Sequence, residues 1–104
     1  MASAGQKAGL RLKFVETVAL TTTAAPLATA LTAGKIYIVY SDVIWRYVLG
    51  TFGAVTALTT SPKLAAYQTM TLEGGTSEAG YVLTGVSGIL DGGTGSLYVF
   101  EVQL

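Results

Sequence analysis

KIYIVYSDVIWRYVLG, residues 35–50, decides the fold. Ile36 to Tyr40 is apolar without a break, Ser41 and Asp42 interrupt, and Val43 to Leu49 resumes with only Arg46 polar. Runs this short, β-branched and aromatic, read as two neighbouring strands, about 35–41 and 44–52. A half-buried strand alternates apolar and polar side chains, and these do not. One strand places Ile36, Ile38 and Tyr40 on one face and Tyr37 and Val39 on the other. The next places Trp45, Tyr47 and Leu49 against Ile44, Arg46 and Val48. Strands apolar on both faces are buried on both faces. In a two-layer sandwich each strand has a core face and an outer face, so the second face needs a cover. Left wet, these side chains would form a contiguous apolar patch of several hundred Å², large for a monomer. Burying it yields on the order of 10 kcal/mol gross, part of which association entropy absorbs.

Outward from this pair, other short segments follow. Leu10, Leu12 and Phe14 alternate with Arg11 and Lys13, a period of two that predicts a strand. The threonine run 21–23 suits an extended chain, and Ala24-Ala25-Pro26 breaks it. Leu27 to Leu31 is the one place where alanine and leucine favour a helical turn. Strands are predicted over 55–60, 68–73 and 81–86, the last continuing to Leu90 past a bulge at Gly88. GGTSEAG, residues 74–80, is a loop rich in turn formers, and DGGTG, residues 91–95, reads as a hairpin loop. In the closing strand Tyr98, Phe100, Val102 and Leu104 take one face, and Leu97, Val99, Glu101 and Gln103 a partly wet one. The sum is an all-β fold: a single antiparallel β-sandwich or small jelly-roll-like barrel of seven to eight short strands. Residues 10–104 form that domain. MASAGQKAG, residues 1–9, is small and polar and is expected as a flexible N-terminal arm held by contacts rather than by its own packing.

Composition points to association. Of 104 residues only 12% are charged, six basic against six acidic, where a soluble domain typically has about 25%. Zero net charge at low charge density favours contact with other protein over free solution. Lys7, Arg11 and Lys13 form the only basic cluster, too few cations for phosphate binding, so neither nucleic acid nor an anionic membrane is expected as a partner. No apolar run reaches the ~20 residues of a spanning helix. Glu16 and the threonines interrupt what could pass for a secretory signal over 7–30.

Chemistry is scarce. There is no histidine and no cysteine, which removes the usual general base, the thiolate nucleophile and the common zinc ligands. Asp42, Glu73, Glu78, Asp91 and Glu101 remain. Glu73 and Glu78 flank one loop, where a glycosidase-like carboxylate pair is the alternative to the favoured reading as solvated loop ends, and Asp91 has too few oxygen neighbours for a calcium loop. The chain is expected to be no enzyme and to need no cofactor or metal. The aromatics Tyr37, Tyr40, Trp45, Tyr47, Phe52 and Tyr67 fit three uses: core, subunit-interface anchors, or a sugar-stacking platform. The expected interface comprises Tyr37, Val39, Tyr40, Ile44, Trp45, Tyr47 and Val48.

LTAGKIYIVYSDVIWRYVLGTFGAVT (31–56), the spaced SPKLAA (61–66) and the closing GGTGSLYVFEVQL (92–104) together resemble small virion proteins of tailed bacteriophages. The resemblance covers residues 30–104 and consists of strands and turns, with no active-site motif. GGTSEAG stands where such proteins often have a shorter turn. The resemblance implies a β-sandwich in a phage particle, made in the bacterial host cytoplasm and placed on the capsid surface as decoration or cement. It implies a homo-oligomer, a trimer or larger ring, bound to the major capsid protein or another virion protein. The arm, with Lys7, Arg11 and Lys13, would then reach across capsid subunits. The alternative is a tail or fibre component that binds a host-surface glycan through exposed aromatics.

Overall fold

The computed structural model describes residues 11–103. The expected arm and Lys7 lie outside them. Ten strands follow in chain order: β1 (Arg11–Leu20), β2 (Ala25–Pro26), β3 (Ile36–Ser41), β4 (Trp45–Gly50), β5 (Lys63–Leu64), β6 (Met70–Glu73), β7 (Gly75–Thr76), β8 (Val82–Leu83), β9 (Gly85–Ile89) and β10 (Gly95–Gln103). β1-β10-β3-β6 form one four-stranded sheet and β2-β9-β4-β5 a second, with β7-β8 a separate two-stranded ribbon. Every pairing is antiparallel. The fold is all-β and fits a small sandwich, as the sequence predicts.

The two strands of residues 35–50 do not pair with each other. β3 lies between β10 and β6 in the first sheet, and β4 between β9 and β5 in the second. The Ser41-Asp42 interruption is the corner where the chain changes layers. Ser41 Oγ accepts the Val43 N–H at 3.1 Å, and Asp42 Oδ1 accepts the Ser96 N–H at 2.8 Å, which ties this corner to the start of β10. Between the sheets, Leu20 of β1, Val39 of β3, Trp45 of β4, Val86 of β9 and Leu97 and Val99 of β10 are essentially inaccessible. Among the described residues the Trp45 indole N–H is the one buried side-chain polar atom without a partner.

Five local expectations change. Leu27–Leu31 forms no helical turn: Leu27 and Leu31 are buried, and their N–H groups donate to Val86 O (3.0 Å) and Thr84 O (2.8 Å). The N–H groups of Ala28 and Thr29 go instead to the Glu16 carboxylate, at 2.8 and 3.1 Å, so tertiary partners override local propensity. Residues 55–60 form no strand. DGGTG is no hairpin loop, because it carries the chain from β9 in the second sheet to β10 in the first. No bulge occurs at Gly88, which pairs in register with both Ala25 and Tyr47; the bulge lies in β1, between Phe14 and Glu16. Over residues 97–100 the faces of β10 are reversed: Leu97 and Val99 face the core, while Tyr98 and Phe100 are only half-buried; beyond them Val102 is buried and Glu101 partly exposed, as expected.

Candidate functional site

The reversal of β10 defines the site. Cross-strand pairing sets Phe14 of β1 beside Phe100, and Phe100 beside Ile38 of β3. In the adjacent row Thr17 pairs with Tyr98 and Tyr98 with Tyr40. Since Val39, Leu97 and Val99 of the intervening positions point inward, these side chains all stand on the outer face of the first sheet. The rings touch: Tyr40 stacks on Tyr98 at 5.2 Å between centroids and lies nearly parallel to Phe100 at 6.1 Å, and Phe14 meets Phe100 edge-on at 5.8 Å.

Tyr67 extends the cluster from a connecting turn. Its ring lies 6.3 Å from Tyr40, and its backbone takes φ 62°, a left-handed conformation that is uncommon for a bulky residue. The Tyr67 N–H donates to Ser41 O at 2.7 Å and holds it there. The ring is 68% exposed, and Phe14 and Leu12 are each more than half exposed. Strand spacing and rise give this face roughly 300–400 Å², the size of the largest apolar patch on a typical monomer.

The outer face of the second sheet differs. Residues 51–62, expected in part as a strand, run across it. The Ala57 N–H donates to the buried Ser87 Oγ at 2.9 Å, and the Leu58 N–H to Ser61 Oγ at 2.9 Å. Arg46 Nη1 donates to Ser61 O at 2.8 Å, and the Tyr47 N–H to Pro62 O at 3.0 Å. Arg46 also meets Asp91 through two contacts, Nε to Oδ1 at 2.9 Å and Nη2 to Oδ2 at 3.3 Å. Lys63 Nζ joins at 3.3 Å. Hydrogen bonding from Arg46 holds the Asp91 carboxyl below its ordinary pKa against some desolvation, with Lys63 assisting.

The expected interface residues therefore separate. Tyr37 (3% exposed), Val39 and Trp45 (1%) belong to the core and present no docking surface. The Tyr37 hydroxyl accepts the Thr32 N–H at 2.8 Å. Tyr47 packs against the core cluster. Val48 is half-buried and paired with Ser87, under the crossing segment. Ile44 is 60% exposed just ahead of β4, apart from the aromatic face. Only Tyr40 of the seven lies on that face. Tyr67, one of the candidate aromatics of the sequence, joins it there, while Phe14, Ile38, Tyr98 and Phe100 stand outside the expected set; the alternation of β10 carries their signal, with the two faces exchanged over 97–100. Arg11 and Lys13 are exposed on β1.

As chemistry, the carboxylates are dispersed. Asp42 caps Ser96, Asp91 binds Arg46, and Glu101 pairs with Lys35 at 3.3 Å. No three His, Cys, Asp or Glu side chains among the described residues are grouped to hold a metal ion. Comparison with protein families, curated proteins and solved structures finds no match to this chain.

Proposed function

We propose that this chain is a non-enzymatic structural component of a virus particle, a capsid decoration or cement protein. It works as a homo-oligomer, a trimer or larger ring, seated on the major capsid protein or another virion protein. The observation that carries the reading is the aromatic face of the first sheet, which no other described segment crosses. A stable interface takes about 800 Å² from each partner, and this face offers less than half of that. One contact of this size is weak, but many copies fixed on one shell multiply their contacts through effective concentration. Low charge density and zero net charge support the same reading, as does the resemblance of the strand pattern to phage virion proteins.

The stacked rings favour protein over sugar as the occupant of this face. Tyr40, Tyr98 and Phe100 spend their ring faces on one another, so they present edges and hydroxyls rather than the open ring faces that sugars stack on. Trp45, the strongest sugar-stacking candidate in the sequence, is buried.

Sedimentation of the purified chain tests the proposal, together with heat release of DNA from particles with and without it. The expected result is weak, concentration-dependent self-association that Tyr40→Ser with Phe100→Ser abolishes in a chain that stays folded, and particles that lose heat resistance without the protein. A monomer at every concentration, with particles equally stable in its absence, overturns the reading.

A further inference from the structure

The β7-β8 ribbon carries a second feature, distinct from the aromatic face and independent of the virion reading. Gly74, Gly75, Thr76, Ser77 and Leu83, together with Glu73 and Tyr81, line an open groove of about 370 Å³. Small-ligand pockets start at roughly this size. The groove is built by a tight turn: the Ser77 N–H donates to Tyr81 O at 2.9 Å, and the Tyr81 N–H returns to Ser77 Oγ at 3.1 Å. Gly75, at φ 123°, takes a backbone conformation closed to other residues and lies against Ala33.

Three properties of the lining converge. Tyr81 is 78% exposed and stacks on no other ring among the described residues, so its ring face is open, unlike those of Tyr40 and Phe100. Glu73 has no hydrogen-bond or ion-pair partner among the described residues and offers acceptors only. Ser77 accepts through its oxygen and keeps its own hydrogen to donate, and Thr76 adds a second hydroxyl.

We propose that this groove binds a neutral saccharide. One ring of the sugar lies on Tyr81 through its C–H face, vicinal hydroxyls donate to the Glu73 carboxylate, and ring or hydroxyl oxygens accept from Ser77 and Thr76. A cationic group would use Glu73, Tyr81 and the hydroxyl oxygens but would leave both hydroxyl hydrogens without an acceptor. A polyol uses acceptor, donor and ring together.

The test is an NMR titration of the full chain with galactose, glucose, mannose and N-acetylglucosamine, with methylammonium as the cationic comparison. The expected result is saturable shifts of the Gly75, Thr76 and Ser77 amides with at least one sugar and none with methylammonium. Tyr81→Ala and Glu73→Gln should each weaken that sugar by about tenfold, the scale of one lost contact, while Tyr81→Phe keeps most of the affinity. Unchanged β7-β8 amide resonances in the free variants confirm that the turn is intact. Absence of shifts with every sugar, equal shifts with methylammonium, or shifts that survive both substitutions would each overturn the proposal.

Discussion

β3 and β4 are near neighbours in sequence and similar in composition, yet their outer faces meet opposite fates. β4 lies beneath residues 51–62, anchored by Ser87, Arg46 and Asp91. β3 carries Ile36, Ile38 and Tyr40, all half-buried, with Tyr40 on the open cluster shared with β10 and Tyr67. An apolar second face therefore does not by itself imply a partner. Residues 51–62 cover one such face, no other described segment covers the second, and only the second bears on association.

Aromatic truncation is the strongest way to test that contrast. Trp45→Ala, on the core side of β4, should destabilise the fold by about 3–5 kcal/mol, enough to unfold a marginal domain. Tyr40→Ala removes a ring of similar prominence in the sequence, but one that is half-buried on the outer face against Tyr67, Tyr98 and Phe100. It should cost about 1 kcal/mol of folding stability and show its main effect in sedimentation. Urea unfolding of both variants checks this pair. Comparable losses of stability would mean that Tyr40 is structural and the aromatic face an extension of the core.

The next effects belong to the cover. A methyl group on Gly85 would come within 2.6 Å of the Phe52 Cα and 2.8 Å of its backbone N, so Gly85→Ala must push the crossing segment outward, at about 1–3 kcal/mol. Ser87→Ala strands the Ala57 N–H against the sheet, also at about 1–3 kcal/mol. Both variants should speed amide exchange at Ala57 while leaving Tyr98 and Phe100 unaffected. If exchange at Ala57 is already fast in the parent chain, the segment is no cover, and β4 becomes a second open face.

The sequence made the fold class legible because short β-branched segments punctuated by glycine leave little else to build. It did not reveal which layer each strand joins. Period two in β10 separates two sets of residues, and both are apolar: Leu97 and Val99 against Tyr98 and Phe100. The polar residues that should mark the outside, Glu101 and Gln103, share the alternation of Leu97 and Val99, so they point to the wrong face over residues 97–100, where the smaller side chains pack into the core with Tyr37 and Trp45. The cover was hidden for a related reason. Residues 55–60 look like a strand, but their amides pair with the hydroxyls of Ser87 and Ser61 rather than with a ladder, and a hydroxyl thirty positions away leaves no local signature. Tyr67 was singled out among the aromatics, but nothing around it announced a left-handed backbone.

That backbone gives a smaller and more selective test. A left-handed conformation costs an ordinary residue about 1–2 kcal/mol, and glycine avoids most of it. Tyr67→Gly should therefore hold folding stability within about 1 kcal/mol of the parent while removing the most exposed ring of the cluster. Reduced self-association with unchanged urea midpoints is the expected outcome. A lowered midpoint would mean that the ring stabilises Tyr40 more than the backbone strain opposes it.

The smallest effect lies in the ion pairs that pin the cover. Asp91 has its pKa held low in the folded chain, first by the Arg46 hydrogen bond, while in the unfolded chain it returns to about 3.9. Its contribution is therefore fully present above about pH 4 and is lost as the pH falls through the lower folded value. Asp91→Asn removes this dependence. Stability curves of the parent and the variant should separate above about pH 4, converge in stronger acid, and draw together at high salt, since the Asp91 side chain is half exposed. Arg46 keeps its bond to Ser61 O in the variant, so the cover should remain in place. Ala57 amide exchange that rises with Asp91→Asn as far as it does with Ser87→Ala would show instead that the segment hangs on the charge cluster, and that the covered face of β4 can open.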